Sequence, residues 1–479
     1  MAAVNYDVIR HYKVWAVLTQ PLHVGSAGGY KEEVLIHPVN RKPFIQASGL
    51  AGAFRSYYSA CCGVDYKKVE DLFGDSGNEN DIHGSRVKFS DAFFSDGLKI
   101  ERRPHVRINS ATGSVDASDT NGAGKKFETE YIGAGAELFF EMEVYSPAGK
   151  EQEDADAIAK ILSALNAEVI QLGGHKSSGA GYLTVTRALS RAFTMKNRND
   201  RLAWAGVETL NDTSYDAVVL SDSEKAGTAY ILTISGKTEG DLLTKAAIAE
   251  GIGENAPDSE NARNAKGDYI IPGSSMKGVF RNRMEMIASY LAGSGQLCKK
   301  DTPESLIQDA FGYGGLRREG ADQKSRTDKK SRTDKNTGKR GNLYFADTVV
   351  GSSPENQAAS LQHRIHIDKL TGGVMYGGKF SQKNVFGSLE IRIRIADENH
   401  PEKTCALLTM AARDLMAGLF NLGGGYNIGK GFLDVDRITI TDAEGRKAEM
   451  TKQGIGGDTK VLDRCMQALA GKEEASCAE

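Results

Sequence analysis

The sequence predicts an α+β fold in which one ferredoxin-like unit, a sheet with two helices on one face, occurs twice in tandem. Three observations support this prediction. Both halves contain the same ordered series of segments, several strands alternate apolar and polar residues, and apolar residues recur at helical spacing before each of two glycine-rich loops. A length of 479 residues also favours two or three domains over one.

The composition excludes several classes of protein. Hydrophobic residues make up 40% and charged residues 26% of the chain, which is typical of a protein with proper cores and excludes disorder throughout. A net charge of −3 gives no global attraction to nucleic acid or to a membrane, so a polyanion site must be a local patch. The six cysteines form no C-x-x-C pair, and we find no membrane-spanning stretch or signal-peptide core. We therefore expect a soluble, reduced cytoplasmic protein without structural zinc or a membrane partner.

The first helix of each copy contains serines followed by cations. QASGLAGAFRSYY at 46–58 matches PGSSMKGVFRNRM at 272–284, with Ser48 and either Ser274 or Ser275 as expected N-caps. Serine hydroxyls, N–H groups at a helix start and nearby cationic side chains can together bind a phosphate. A well-capped amphipathic helix is the alternative interpretation. The cations are Arg55 in copy one and Lys277 and Arg281 in copy two.

The middle of each copy contains a segment that begins a long insertion rich in glycine and polar residues. We interpret this insertion as a hairpin. Two shorter matches precede it, and an alternating strand follows it, at 138–144 in copy one and 389–395 in copy two. The matched segments are LFGDSG (72–77) with AFGYGG (310–315), VKFSDA (87–92) with LYFADT (343–348), and HVRINSATG (105–113) with RIHIDKLTG (364–372).

The end of each copy is a helix, a glycine loop and a final strand. The loops LGGHKSSGAGYLTV at 172–185 and LGGGYNIGKGFLDV at 422–435 match without a gap. A nucleotide-binding loop requires a strand before it and a helix after it, so this order disfavours ATP or NAD. Two interpretations stay open: a tight turn, or a backbone with free N–H groups and a charge from Lys176 or Lys430 that contacts a ligand.

These segments define the domain boundaries. The first copy covers 1–189, a connection covers 190–226 and the second copy covers 227–445. Residues 446–479 form a tail that we expect to be weakly structured. Copy two also contains an insert at 316–340 with ten basic and four acidic residues. We expect this insert to be a disordered basic loop, either simply solvated or in transient contact with phosphates.

The sequence resembles the RAMP superfamily, and within it the Cas-seven-type backbone subunits of type III CRISPR effector complexes. The resemblance is carried by IPGSSMKG at 271–278, RIHIDKLTGG at 364–373, the glycine loops and the strand order. A tandem two-copy chain is similar to the fused backbone subunit of subtype III-D. Copy one matches with more drift, since it has Gln46, Ala47 and Gly49 where copy two has Pro272, Gly273 and Ser275.

The resemblance implies two RRM-like RAMP modules that lie along a CRISPR guide RNA, each with a thumb hairpin that kinks the guide. Its expected partners are this guide, a single-stranded target RNA and other effector subunits. Phosphate and 2′-hydroxyl contacts would hold the guide, and base pairing would supply sequence specificity. The expected RNA-binding residues are Ser48, Arg55, His105, Arg107, Thr112, His175, Lys176, Ser274, Ser275, Lys277, Arg281, Arg364, His366, Thr371 and Lys430.

Catalytic subunits of this family carry an aspartate in the loop before the first helix, and in copy two Asp258 falls at about that position. The resemblance therefore implies metal-dependent cleavage of target RNA, with Asp258 holding a divalent cation, Mg²⁺ or Mn²⁺, or the reactive hydroxyl. Glu260 and Asp268 are the fallback carboxylates. The loop of copy one contains Glu32 and Glu33 but no aspartate, so we favour loss of cleavage there.

Three other functions stay open. The chain could be a purely structural subunit whose acids are solvated, or an unrelated small-metabolite enzyme without affinity for RNA. The third open function is processing of guide precursors, because a related branch of RAMP proteins cleaves them without metal and uses a histidine as general acid or base. The histidines considered for it are His23, His37, His105 and His175.

Overall fold

The chain folds into two compact units. Unit 1 comprises Met1–Gly227 and Ala246–Ile270, and unit 2 comprises Thr228–Lys245 and Ile271–Glu479. The segment before the second helix motif thus belongs to unit 1, although it lies within the predicted second copy. The computed structural model describes residues 6–25, 33–61, 65–74, 84–106, 126–221, 227–245, 257–313, 338–351 and 358–471.

Unit 1 is built on one mixed-length antiparallel sheet. Its elements are β1 (Val8–Leu18), β2 (Phe44–Ile45), α1 (Ala47–Cys61), α2 (Tyr66–Phe73), β3 (Val87–Phe89), β4 (Ala92–Phe94), β5 (Ile100–Val106), β6 (Lys126–Ile132), β7 (Glu137–Ser146), α3 (Glu151–Asn166), β8 (Leu183–Thr194), α4 (Arg198–Ala205) and β9 (Asp216–Ala217). The strand order is β2-β4-β7-β1-β8-β9, with β3 also paired to β7, and β5–β6 forms a separate hairpin.

Unit 2 repeats this plan and extends it at one edge. Its elements are β10 (Thr228–Thr238), the short strand β11 (Ile270–Ile271) at the boundary with unit 1, α5 (Gly273–Gly293), α6 (Pro303–Phe311), β12 (Gly312–Tyr313), β13 (Lys339–Arg340), β14 (Leu343–Phe345), β15 (Thr348–Val349), β16 (Ala358–Ile367), β17 (Val374–Phe386), β18 (Ser388–Ala396), α7 (Pro401–Met416), β19 (Leu433–Asp442), β20 (Lys447–Thr451), β21 (Gly454–Gly457) and α8 (Lys460–Ala470). The sheet order is β14-β18-β10-β19-β20-β21, and β16–β17 is a hairpin.

Both sheets have the ferredoxin-like order. If the four main strands of each unit are numbered along the chain, their spatial order is 2-3-1-4 in both units. The long hairpin is inserted between the second and third strands in each case. The predicted fold class, α+β with two ferredoxin-like modules and two thumb hairpins, is therefore confirmed.

Alternating apolar residues place one face of each sheet in a core. In β1 Val14 and Ala16 are buried, and they pack with Phe54 of α1 and Leu162 of α3. Because strand side chains alternate between faces and helical ones recur every three or four residues, these patterns were readable from the sequence. In unit 2 the corresponding core residues, all fully buried, include Leu232, Phe280, Ile391 and Leu408.

The serine N-caps predicted for the first helix of each copy are wrong. The helices begin at Ala47 and Gly273, and the first N–H group donates to an aspartate from a distant strand–turn segment. The distance is 2.7 Å from Ala47 N to Asp91 Oδ1 and 2.9 Å from Gly273 N to Asp347 Oδ1. A carboxylate at this end also interacts favourably with the helix dipole. Because the helices begin at Ala47 and Gly273, the serines that follow lie in the first helical turn and do not cap it.

The prediction of weak structure after residue 445 is also wrong. Strands β20 and β21 extend the sheet of unit 2, and α8 buries Val461, Leu462, Cys465 and Leu469. Those four residues have helical spacing, so the signal was present in the sequence. The connection at 190–226 is likewise ordered over much of its described part, because β8 continues to Thr194, α4 follows and β9 pairs with β8.

No helix among the described residues is long and apolar enough to span a membrane.

Candidate nucleic-acid interface

Three segments meet at one end of the unit 2 sheet: the hairpin base, the start of α5 and the glycine loop. Strand β10 ends at Thr238, beside the strand that follows the glycine loop. The hairpin ends there too, because the Gly387 N–H donates to Thr238 Oγ1 at 3.1 Å. Asp347, which caps α5, directly precedes β15, and Val350 just after that strand pairs with Leu389 at the start of β18. We call this end the hairpin edge.

The two glycine loops have the same backbone. In unit 1 the Leu172 N–H donates to the Gly181 carbonyl at 3.0 Å, and the Gly181 N–H donates to the Pro21 carbonyl at 2.8 Å. The same two bonds occur in unit 2, both at 2.9 Å. These N–H groups are used inside each unit, which supports the tight-turn interpretation. The left-handed residues, at matching positions, are Gly173, His175, Gly179 and Gly181, and Gly423, Gly425, Gly429 and Gly431.

In unit 2 a buried lysine joins the glycine loop to the hairpin. Lys430 is only 3% exposed, and its Nζ donates to Gln382 Oε1 at 3.1 Å and to Asn384 Oδ1 at 2.6 Å. Asn384 in turn donates to Asp241 at 3.0 Å. Burial, and then the nearby Arg364 guanidinium, lowers the pKa of Lys430 from its ordinary value, while Asp241 opposes them. The charge of Lys430 therefore holds the base of the hairpin.

In unit 1 a cluster of aromatic rings lies between the glycine loop and hairpin β5–β6, and we call it the histidine cluster. His175 of the glycine loop lies 5.0 Å from His23 and 5.9 Å from His105 between ring centroids. Tyr131 of β6 packs against all three, and its hydroxyl lies 3.4 Å from His105 Nε2. His23 Nδ1 lies 2.8 Å from the carbonyl oxygen of Glu130. Because a carbonyl only accepts, Nδ1 carries the proton in the neutral ring and Nε2 is the acceptor.

Three of the four histidines considered from the sequence are thus brought together, and the fourth is not. His37 packs edge-on against Phe44 and Phe93, at 5.0 and 5.3 Å between centroids. Lys176 is half-buried in the glycine loop, where its carbonyl accepts from Gln171 Nε2 at 2.9 Å.

The tip of hairpin β16–β17 presents large apolar side chains to solvent on a fixed turn. Leu370 is 97% exposed and Tyr376 is fully exposed. The Asp368 carboxylate accepts the N–H groups of Leu370 and Thr371 at 2.7 and 2.9 Å. These hydrogen bonds, led by that of Thr371, lower the pKa of Asp368. His366 is also exposed, just before the turn.

The start of α5 combines hydroxyls with one unusual lysine. Ser275 is exposed and Ser274 half-buried. Burial, and then repulsion from Arg281, lowers the pKa of Lys277 to about 8. Arg281 is itself half-exposed and donates to Glu285 Oε1 at 3.0 Å. In α1 the corresponding Ser48 is exposed and Arg55 half-buried.

The segment 257–270 carries the three predicted acids of copy two in different surroundings. Asp258 has an exposed side chain. Glu260 is 4% exposed, and its Oε1 lies 2.9 Å from an Arg263 guanidinium nitrogen. Asp268 Oδ2 accepts from Asn264 Nδ2 at 3.0 Å. Glu260 and Asp268 therefore contribute to the internal structure of the segment, and Asp258 is the most exposed of the three acids.

Several predicted residues fall where the structure makes no statement. Glu32, Arg107 and Thr112 lie outside the described residues, as does most of the predicted basic insert. Its last residues, Lys339–Arg340, form strand β13, which pairs with β12. Glu33 is exposed at the beginning of a described range.

Within the described ranges, no group of three or more His, Cys, Asp and Glu side chains is arranged to hold a metal ion. Among the residues that the structure describes, the donors at Asp258 therefore do not form a preformed protein cage for a cation. They fit the type of Mg²⁺ site in which one or two carboxylates act together with water and substrate phosphate oxygens.

Sequence reasoning missed three residues that shape the site. Asp91 and Asp347 cap the first helices from equivalent positions of VKFSDA and LYFADT, and the repetition of that aspartate was the available signal. Tyr131 joins the histidine cluster, and only its place at the end of an alternating strand pointed to it.

Two ferredoxin-like units, each with a long hairpin and a glycine loop at one sheet end, define a protein with a duplicated ferredoxin-like module. The family model described as "RAMP superfamily" matches residues 15–184 and 237–434, one match for each copy. The chain belongs to the RAMP superfamily, as its motifs indicated.

One curated relative adds to this. The chain is 30% identical over 122 residues to the "CRISPR system Cmr endoribonuclease Cmr4" of Pyrococcus furiosus. The match covers 25% of this chain and 38% of the relative, so the chain spans well under half the length of that protein in this match.

Proposed function

We propose that the protein is a guide-RNA-binding backbone subunit of a type III CRISPR effector complex and that it cleaves guide-paired target RNA at Asp258. The observation that carries the RNA-binding part is the repetition of one hairpin, glycine loop and helix start in two units that both match the RAMP superfamily. The similarity to a CRISPR endoribonuclease supports the CRISPR context. Other effector subunits and a single-stranded target RNA are the further partners of this proposal.

The chemistry of the hairpin edge suits a sugar-phosphate strand. Ser275, Lys277 and Arg281 supply hydroxyl and cationic donors that suit phosphates and 2′-hydroxyls, and such contacts carry no information on base sequence. Leu370 and Tyr376 at the hairpin tip offer apolar surface on which an unstacked base can pack. Sequence would then be read by guide pairing.

Cleavage at Asp258 is transesterification by the target itself. The 2′-oxygen attacks the adjacent phosphorus and gives its proton to water, and the bond from phosphorus to the 5′-oxygen breaks. The 5′-oxygen takes up a proton from water, so the products are a 2′,3′-cyclic phosphate and a 5′-hydroxyl. Asp258 holds the 2′-hydroxyl in line or ligates a divalent cation, Mg²⁺ or Mn²⁺. A bound cation supplies charge stabilisation to the phosphate oxygens.

Purification from the host tests the RNA-binding part of the proposal. The tagged chain is expected to bring down small RNAs of uniform length whose sequences contain a shared repeat-derived end. Recovery of the folded chain without small RNA, or with RNA of random length and sequence, would contradict it.

The affinity for guide RNA is expected to depend on pH through Lys277. Its lowered pKa, about 8, means that the cation is present below that pH and is lost above it. One charged contact is worth ~1.5–3 kcal/mol, so affinity should fall about 10-fold between about pH 7 and about pH 9. Filter binding measures this. In Lys277→Arg the guanidinium stays charged, so the pH dependence should disappear; a wild-type affinity that is constant over this range would contradict the role of Lys277.

A second candidate function rests on the histidine cluster: metal-independent cleavage of a guide precursor in unit 1. In this candidate function, His23 Nε2 takes the 2′-hydroxyl proton while the new bond from the 2′-oxygen to phosphorus forms. A protonated neighbouring imidazole, that of His105 or His175, then donates to the leaving 5′-oxygen. A Cβ at Gly25 would lie 2.8 Å from His23 Nε2, so the absence of a side chain at Gly25 leaves space next to this nitrogen.

The isolated chain with hairpin precursor RNA in excess EDTA tests this candidate. Cleavage should occur, should fall by ~10²–10⁴-fold in His23→Ala and should persist in His37→Ala, which lies outside the cluster. Absence of cutting by the wild-type chain in EDTA would remove the candidate and leave the main proposal untouched.

A further inference from the structure

The segment that carries Asp258 is fixed to hairpin β5–β6 of unit 1. The Ala265 N–H donates to Glu101 Oε1 at 2.7 Å. The other oxygen, Glu101 Oε2, accepts from Arg103 at 2.6 and 3.0 Å. Glu101 and Arg103 side chains are 8% and 14% exposed. One buried carboxylate thus joins a hairpin cation to a backbone amide of the segment.

Close packing at the same place strengthens the attachment. A Cβ added to Gly133, just after β6, would lie 2.2 Å from Ala265 Cβ, nearer than any two such atoms can approach. A Cβ on Gly135 would lie 2.9 Å from Lys266 Cε. The segment therefore rests directly on the glycine backbone beneath it and cannot shift toward the hairpin.

The attachment is transmitted to Asp258 by bonds inside the segment. The Ile270 N–H donates to the Ala262 carbonyl at 2.9 Å and closes residues 262–270 into a small hairpin. Arg263 of this hairpin holds Glu260 at 2.9 Å, and Asp258 is two residues away. Glu101 is thus linked to Asp258 through two contacts, that of Glu101 with Ala265 and that of Arg263 with Glu260, and through a short stretch of chain.

We propose that Glu101 is a positioning residue for target cleavage: by holding the Ala265 amide, it places Asp258 against the scissile phosphate. This inference rests on the proposed function, because it assigns to Asp258 the role given there. Glu101 does not touch the RNA in this account. Its effect is on orientation, where a displacement of about 1 Å can cost about 10²-fold in rate.

Single-turnover cleavage by the assembled guide-containing complex tests the proposal. Glu101→Ala should slow the cut 10- to 100-fold while guide affinity and the half-saturating target concentration stay unchanged. Glu101→Gln keeps an oxygen that can accept the Ala265 N–H, so it should recover most of the rate. Glu128→Ala removes an exposed carboxylate from the same hairpin and should cut as wild type.

A second pair of variants tests the contact without removing a charge. Gly133→Ala should displace the segment and slow the cut, and Ala265→Gly in the same chain should restore part of the rate by removing the 2.2 Å contact. Restoration is partial because the new Cβ would still lie 3.1 Å from Glu101 Oε1. These two variants also test the positioning of Asp258 if Glu101→Ala fails to assemble into the complex.

The outcomes separate the two proposals. If Asp258→Ala still cuts, the proposed catalytic function fails. If Asp258→Ala is inactive but Glu101→Ala and Gly133→Ala cut at the wild-type rate, the positioning role alone is overturned. Equal rates in Glu101→Gln and Glu101→Ala would also overturn it, because the acceptor oxygen would then have no effect.

Discussion

Replacing Asp258 by alanine is expected to abolish one target cut while leaving guide binding intact. Asp258 has an exposed side chain, whereas Glu260 is buried and Asp268 is half-buried. Asp258 is proposed to orient the attacking hydroxyl or to hold the cation that stabilises the phosphate, and losing such a group costs ~10²–10³-fold in rate. The measurement is single-turnover cleavage of guide-paired RNA with saturating Mg²⁺, with guide affinity measured in parallel.

Asp436→Ala is the matched control for this variant. Asp436 is an exposed aspartate on β19 of unit 2, and its removal changes the net charge equally. We expect it to cut normally. Undiminished cutting by Asp258→Ala would remove the proposed mechanism and favour a purely structural subunit.

Replacing Gly431 by alanine is expected to destabilise unit 2 severely. A Cβ at this position would lie 1.8 Å from the carbonyl oxygen of Leu422, and the residue has a φ of +80°. The left-handed conformation costs a non-glycine residue roughly 1–2 kcal/mol, and overpacking adds ~1–3 kcal/mol. The free energy of unfolding, measured with urea, should therefore fall by ~2–5 kcal/mol.

Gly429→Ala separates the two causes. Gly429 has a φ of +81°, but a Cβ there would meet nothing within 4 Å. It should lose only the conformational part, ~1–2 kcal/mol. If Gly431→Ala is no more destabilised than Gly429→Ala, close packing of Gly431 against Leu422 within the loop is not what requires glycine.

The sheets and helices were predictable because their signals are local. Val14 and Ala16 in β1, or Ile391 and Ile393 in β18, alternate with polar neighbours, and a strand shows its buried face in this way whatever it packs against. The duplication added a second independent copy of each signal. The helical spacing of Val461, Leu462 and Cys465 is a weaker signal, because it follows a polar, glycine-containing stretch.

The site was less predictable because its contacts join distant parts of the chain. Nothing near Lys430 in sequence indicates Asn384 or Asp241, whose contacts bury its charge. The histidine cluster unites three separate segments, and the helix caps come from aspartates more than forty residues away. Residue types could be chosen from the sequence, but their partners required the fold.

The central claim is that RNA binds at the hairpin edge of unit 2 and, in unit 1, at the histidine cluster and hairpin β5–β6. Ultraviolet crosslinking of the purified ribonucleoprotein, followed by mass spectrometry of the crosslinked peptides, tests it most directly. The account predicts crosslinks in hairpin β16–β17, especially at Tyr376, in the start of α5, and in hairpin β5–β6 and the histidine cluster of unit 1. Crosslinks confined to other surfaces of the two units, or to one unit only, would contradict it.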